Sequence, residues 1–318
     1  MKWILLIASA AISSGAQAQE ASDAASRQWF TGSLYAVSPA LSQAGALAIE
    51  PYAITSFNTG SYDAEGHHHW ERRGTDAEVL LTVLKYGLTD HLTIATTPSL
   101  AHSWNTAQGS AGTGFADLPI ELEYRLRDGV IATGAPSITA SIGLRLPTGR
   151  FDRLQNSQIG HGSGAWTLKA GVLVQSLFNT PGDHAMRIRL YGSVAIPLAR
   201  VSVHDASVYD TASGFAGHAL PGAAAELGMS VGYGLTQRWV LALDLLYCKS
   251  AGTALDGTRS DGGRVQTRAP SSSSFAIAPA IEYSWSANAG IIAGVAFSAA
   301  GRNSASFIAP QIAVSLAF

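Results

Sequence analysis

Along most of this chain, bulky apolar residues alternate with small or polar ones. Leu118, Ile120, Leu122, Tyr124 and Leu126 share one parity; Asp117, Pro119, Glu121, Glu123 and Arg125 share the other. Ile138, Ala140, Ile142, Leu144 and Leu146 oppose Thr139, Ser141, Gly143 and Arg145, and Trp166, Leu168, Ala170, Val172 and Val174 oppose Thr167, Lys169, Gly171 and Gln175. The pattern returns around Arg187 and Arg189, again opposite Asp244, opposite Glu282, and in the final stretch from Phe307 to Phe318. A period of two is the signature of a strand with two different faces. Twelve such segments are predicted, at about 46–58, 75–86, 91–101, 114–126, 137–147, 165–178, 185–199, 222–235, 238–251, 273–285, 289–301 and 305–318. In the first, Pro51 blurs the parity, because Leu47 and Ile49 fall out of phase with Tyr52 and Ile54.

Parity alone suits a half-solvated soluble sheet as well as a membrane barrel with apolar residues toward lipid and polar ones toward the lumen. The connections separate the two. Short links at 87–90, 127–136, 179–184, 236–237 and 286–288 alternate with longer ones at 59–74, 102–113, 148–164, 200–221 and 252–272, and with a brief sixth at 302–304. That rhythm is the one of periplasmic turns and extracellular loops. Tyr86, Tyr124, Phe178, Tyr233, Trp239, Tyr283, Trp285 and Phe318 gather at the short-turn ends, where an aromatic belt meets the headgroups. The expected fold is an all-β transmembrane, antiparallel, up-and-down barrel over 46–318.

Composition agrees. Charged residues make up 13% of the chain and hydrophobic ones 47%. After the first 18 residues, no apolar run reaches the roughly 18 residues that a spanning helix needs. With 20 basic against 22 acidic residues, the chain has no phosphate-attracting field, so no nucleic-acid partner is expected. Lys2, the apolar run from Trp3 to Ile12 and Ala16-Gln17-Ala18 read as a secretory signal peptide over 1–18, cleaved near Ala18. Residues 19–45 form either a periplasmic N-terminal segment or a small plug inside the barrel. The one cysteine, Cys248, allows no internal disulfide and is expected to face the lumen as an inert thiol.

Four segments carry a family resemblance: Tyr86-Gly87-Leu88-Thr89-Asp90-His91-Leu92-Thr93; Gly114-Phe115-Ala116-Asp117-Leu118 continuing to Glu123-Tyr124-Arg125-Leu126; Gly143-Leu144-Arg145-Leu146-Pro147-Thr148-Gly149; and Gly162-Ser163-Gly164. In this order and spacing the chain resembles the outer-membrane barrel transporters associated with the meta-pathway of phenol degradation. The resemblance implies a passive channel in the bacterial outer membrane for small hydrophobic or aromatic solutes, with no catalytic residues and no cofactor. Its expected partners are outer-membrane lipids, those solutes, and the barrel-assembly machinery through the C-terminal strand ending in Phe318. The chain departs most from the family in its first long loop, which carries His67-His68-His69.

The candidate selectivity residues are the charges on the inward parity. Arg145, Lys169, Arg187 and Arg189 form a basic arc. Asp117, Glu121 and Glu123 on one side, and Glu226, Asp244 and Glu282 on the other, supply the facing carboxylates, with Arg125 below them. Charged ladders of this kind set selectivity in pores; the same charges can equally pair and close a narrow, purely structural barrel. Glu121 and Glu123 stand about 7 Å apart on one strand face, a geometry available for acid–base work but equally that of lumen carboxylates. Ser163 and His161 suggest a lipid hydrolase in which the imidazole activates the hydroxyl. His67, His68 and His69 lie near Asp63, Glu65 and Glu71, a donor set suited to Zn²⁺ or Cu²⁺; but consecutive side chains diverge, so no metal is expected.

Overall fold

The structure, a computed structural model, describes residues 24–35, 39–70, 74–105, 109–156 and 159–318. The expected leader over 1–18 lies outside the described residues. Twelve strands form the barrel. They are β1 Leu47–Tyr62, β2 Asp76–Thr89, β3 Leu92–Thr96 continued by Ser99–Asn105, β4 Ser110–Phe115 continued by Leu118–Arg127, β5 Ser137–Leu146 and β6 Thr167–Thr180. Then follow β7 His184–Pro197, β8 Ala224–Gly234, β9 Trp239–Ser250, β10 Ser272–Ser286, β11 Ala289–Arg302 and β12 Ser304–Ala317. Every neighbour is antiparallel, and β1 pairs with both β2 and β12, so that Tyr52 sits between Leu81 and Ala313. The sheet closes and leaves no edge of unpaired backbone groups.

The faces follow the alternation. Leu122 is 41% exposed while its neighbour Glu123 is 0% exposed. A wall that turns leucine outward and shuts glutamate away is made for lipid, not for water. In β1 the phase resolves as Glu50, Tyr52 and Ile54 inward and Pro51 and Ala53 outward. Pro51 lacks the N–H a ladder needs: it stays in register with Thr82 of β2, while the register to β12 skips Glu50 and Pro51 and resumes at Tyr52.

Two differences from the sequence-based boundaries have clear causes. Strands β3 and β4 reach Asn105 and back from Ser110, extending the expected ends at 101 and 114. There Trp104 pairs with Asp76 of β2 as well as with Ala111 of β4, and burial still alternates from Ser99 to Asn105; the small and polar residues Ser103, Asn105 and Gly112 hide the period in the sequence. The long loops 200–221 and 252–272 are not irregular. Val201–His204, Ala216–Leu220, Ala254–Thr258 and Arg264–Arg268 pair as a separate four-stranded sheet at the long-loop end. It packs through Val203, Phe215 and Ala219 onto Tyr209 and Ala165.

Candidate functional site: the barrel interior

The inward faces of β2 to β6 carry ion pairs that run along the wall. Glu121, Gly143 and Lys169 lie side by side on β4, β5 and β6. Since glycine presents no side chain, Lys169 Nζ reaches over Gly143 to Glu121 Oε1 at 3.0 Å. Lys85 on β2 reaches in the same way over β3, where Ala95 and Thr93 are the inward residues, to Glu123 Oε2 at 2.8 Å. Both pairs are buried. The basic and acidic arcs expected from the sequence therefore neutralise one another locally here, between strands one apart.

The interior of β7 to β10 is built differently. Arg187 on β7 passes over Gly232 and Ala242 to Glu282 Oε1 on β10 at 2.8 Å. The partners of Glu282 are completed by the N-terminal segment: Thr31 N–H donates to its Oε2 at 2.8 Å and Gly32 N–H at 3.2 Å. Asp244 Oδ2 on β9 accepts from Ser33 Oγ at 2.7 Å, Leu34 N–H at 2.6 Å and Tyr35 N–H at 3.0 Å. Arg187 donates to Gly32 O, and its guanidinium lies 4.3 Å from the centre of the Phe30 ring. Carboxylates that accept several backbone donors are strong anchors, because a charge-assisted bond is roughly twice a neutral one.

The chain from Gln28 to Tyr35 thus runs inside the barrel, against the inner wall. Small residues make room for it. The side chain of Thr31 fills the place of a Cβ at Gly290, and Leu34 that at Gly294. Leu34 and Tyr35 are buried against Ala278, Ile292, Ala296, Ala309 and Ala313 on β10 to β12, and against Tyr52, Ile54, Val79, Leu81 and Val83 on β1 and β2. Nearer the short-turn end, Pro39 O accepts from Arg125 Nη2 and Thr139 Oγ1, and Ser42 N–H donates to Thr93 Oγ1. The interior therefore holds an apolar arc as well as charges, which the expectation of a polar lumen face omitted.

The candidate lumen residues other than Asp117 face inward. Glu226 is buried next to Ser193 in the ladder, Arg189 donates to Gln175 Oε1 at 2.7 Å, and Arg145 is half-buried on β5. Asp117 serves the rim instead. A one-residue bulge between the two halves of β4 turns it toward the loop 147–166, where it accepts from Gly149 N–H, Ser163 N–H and Ser163 Oγ at 3.0, 2.7 and 2.6 Å. Bulges commonly re-aim a side chain in this way. Lys85 and Glu50 were not singled out in the sequence. Glu50 accepts from Ser315 Oγ at 3.0 Å; their signal was a charge on an inward parity, masked in β1 by Pro51.

The other candidates resolve by geometry. The Ser163 hydroxyl donates to Asp117, and His161 Nε2 lies 3.3 Å from Gly112 O, so the imidazole is not placed as a base for Ser163. Burial holds the His161 imidazole below its ordinary pKa. The histidine run alternates: His67 and His69 turn to Asp63 Oδ2 at 3.4 and 2.9 Å, while His68 turns to Ser306 Oγ. Among the described residues no group of three or more His, Cys, Asp and Glu side chains is arranged to hold a metal. Cys248 is inward and buried.

Solved structures share this architecture. An outer membrane channel from Pseudomonas putida F1 superposes with a TM-score of 0.62 at 17% identity, over 86% of this chain and 96% of that one. The fold is that of an outer-membrane channel barrel. The transport unit of the autotransporter AIDA-I from Escherichia coli gives 0.47 at 10% identity over 86% and 90% of the two chains. The NanC porin gives 0.44 at 10% identity over 84% and 98%. No family model and no curated protein matches the sequence.

Proposed function

We propose that this chain is an outer-membrane channel, exported with its leader cleaved near Ala18, through which small hydrophobic or aromatic molecules pass by passive diffusion. Residues 24–35 and 39–45 act in it as an interior plug. The observation that carries this reading is the apolar arc of Tyr52, Ile54, Val79, Leu81 and Val83 inside a lumen, covered by Leu34 and Tyr35 of a segment that contributes none of the twelve strands. A purely structural barrel gains nothing from a core element held by side-chain latches at Asp244 and Glu282. A pore for polar solutes gains nothing from bulky apolar residues on its inner wall. When the segment shifts, the arc is uncovered, and the neighbouring charges would set which solutes accompany it.

The resemblance of the four motif segments to transporters of the phenol meta-pathway supports the aromatic assignment. The C-terminal strand, with its Phe318 carbonyl accepting from Leu47 N–H, supplies the signal for barrel assembly. Uptake of phenol at limiting concentration, compared between cells with and without the gene, tests the reading; loss of uptake is expected. Unaltered uptake would overturn the aromatic assignment. Absence of conductance both from the full barrel and from one lacking residues 24–35 would favour a closed barrel.

A further inference from the structure

The outer sheet is more than a lid over loops. Between its Ala254–Thr258 and Arg264–Arg268 hairpin and the loop 205–215 lies a cavity of ≈ 570 Å³. Its apolar floor is Phe215, Leu255 and Val265. The floor depends on two glycines: Gly217 and Gly257 are ladder partners, and Phe215 Cζ stands 2.8 and 2.6 Å from where their Cβ atoms would be. Any side chain at either position would evict the ring, so the sequence has kept this seat for an aromatic.

Charge is distributed unevenly around that floor. Arg259, at the hairpin turn, and Arg268, at its base, both line the cavity and are exposed. Neither has a carboxylate partner among the described residues. Of the two lining aspartates, Asp261 already accepts from Gly263 N–H at 2.8 Å, and Asp210 is engaged elsewhere. Ladder pairing puts the two arginines on the order of 15 Å apart along the ribbon, one at each end of an apolar trough. Guanidinium forks match carboxylates in geometry, and a cavity of this size, with an apolar floor inside a rim of hydroxyl and charged side chains, suits a small amphipathic molecule.

We propose that this cavity is a capture site on the outer face for small aromatic or apolar carboxylates, the ring on Phe215, Leu255 and Val265 and the carboxylate on Arg259 or Arg268. It rests on the uptake reading for its role, and names the charged subset of solutes that the channel would concentrate. Calorimetric titration of the purified full-length barrel with 4-phenylbutyrate and its neutral counterpart 4-phenylbutanol tests it. Phenylbutyrate is expected to bind, and phenylbutanol roughly tenfold more weakly, the worth of one charge-assisted bond. The Arg259→Gln/Arg268→Gln variant should bring the two affinities together, and Thr267→Trp, which fills the trough, should abolish both. No binding at millimolar phenylbutyrate, or unchanged affinity in the double-glutamine variant, would overturn the site. Phenol uptake by cells carrying the same variant separates the two readings: binding lost with phenol uptake retained supports the site, whereas binding intact in a barrel that takes up no phenol overturns the uptake reading alone.

Discussion

The two sides of the barrel interior use the same kinds of residue for opposite ends. On β2 to β6, Lys85, Glu121, Glu123 and Lys169 satisfy one another along the wall. On β9 and β10, Asp244 Oδ2 accepts from Ser33 Oγ and the Leu34 and Tyr35 N–H groups, and Glu282 gives one oxygen to Arg187 and the other to the Thr31 and Gly32 N–H groups. The first arrangement is internal to the barrel and forms whenever the strands do. The second is an anchorage, and it exists only while the segment is in place. A buried carboxylate in a lumen thus serves as wall, as latch or, like Glu282, as both, and its partners decide which.

Breaking each side should therefore give different losses. Glu121→Gln leaves the Lys169 ammonium buried without its counter-charge, and we expect destabilisation of about 3–5 kcal/mol in heat or denaturant unfolding of the detergent-solubilised barrel. Glu121→Leu/Lys169→Met should recover most of it, because a buried pair and a packed apolar pair differ little in net stability. Equal losses from the single and the double variant would refute this account of the wall.

Asp244→Asn, which leaves the Arg187–Glu282 pair intact, should act on the pore more than on the fold. The released segment can hydrate its N–H groups, so unfolding should shift little while single-channel conductance in planar bilayers rises severalfold. Unchanged conductance would sink the latch. A smaller, local effect is expected at the rim. Asp117→Asn removes the charge that Gly149 N–H, Ser163 N–H and Ser163 Oγ share, and should lower protection of the loop 147–166 in hydrogen exchange by about 1–3 kcal/mol. Protection equal to the wild type would show that the bulge does not aim Asp117 at that loop.

The smallest effect concerns pH. His69 at 2.9 Å, with the His67 and Gly66 N–H groups, holds the Asp63 carboxyl well below the usual carboxylate range. A depressed folded-state value means that whatever this contact contributes is present above the ordinary carboxylate range. It is lost only as pH falls through the lower folded value. A ¹³C titration of Asp63 should show this, and His69→Ala should return its midpoint toward that of free aspartate. A midpoint unmoved by His69→Ala would exclude the imidazole as the cause.

Much of the fold was legible in the sequence, for a physical reason. A lipid-facing wall penalises every misplaced charge, so Leu118 to Leu126 and Ile308 to Phe318 write their faces directly into parity. The inward position of the candidate charges other than Asp117 followed from the same rule. Where the penalty is absent, legibility ended. The outer sheet lies beyond the lipid band and carries no imposed period. Lys85 escaped notice because it closes an otherwise apolar inward row, Val79, Leu81 and Val83, that a polar lumen would not contain.

The sequence by itself determined that twelve strands alternate, which side of each meets lipid, and which charges must share the interior, since these follow from local periodicity and a single partition between hydrocarbon and everything else. Tertiary structure alone decided which charges meet. Lys169 finds Glu121 because Gly143 lies between them in the closed ladder. Asp244 holds Ser33, 211 residues away along the chain, because the N-terminal segment turns into the lumen. Pairing between distant strands depends on register and on the small residues that clear a path, and neither is written in the neighbourhood of the residues that pair.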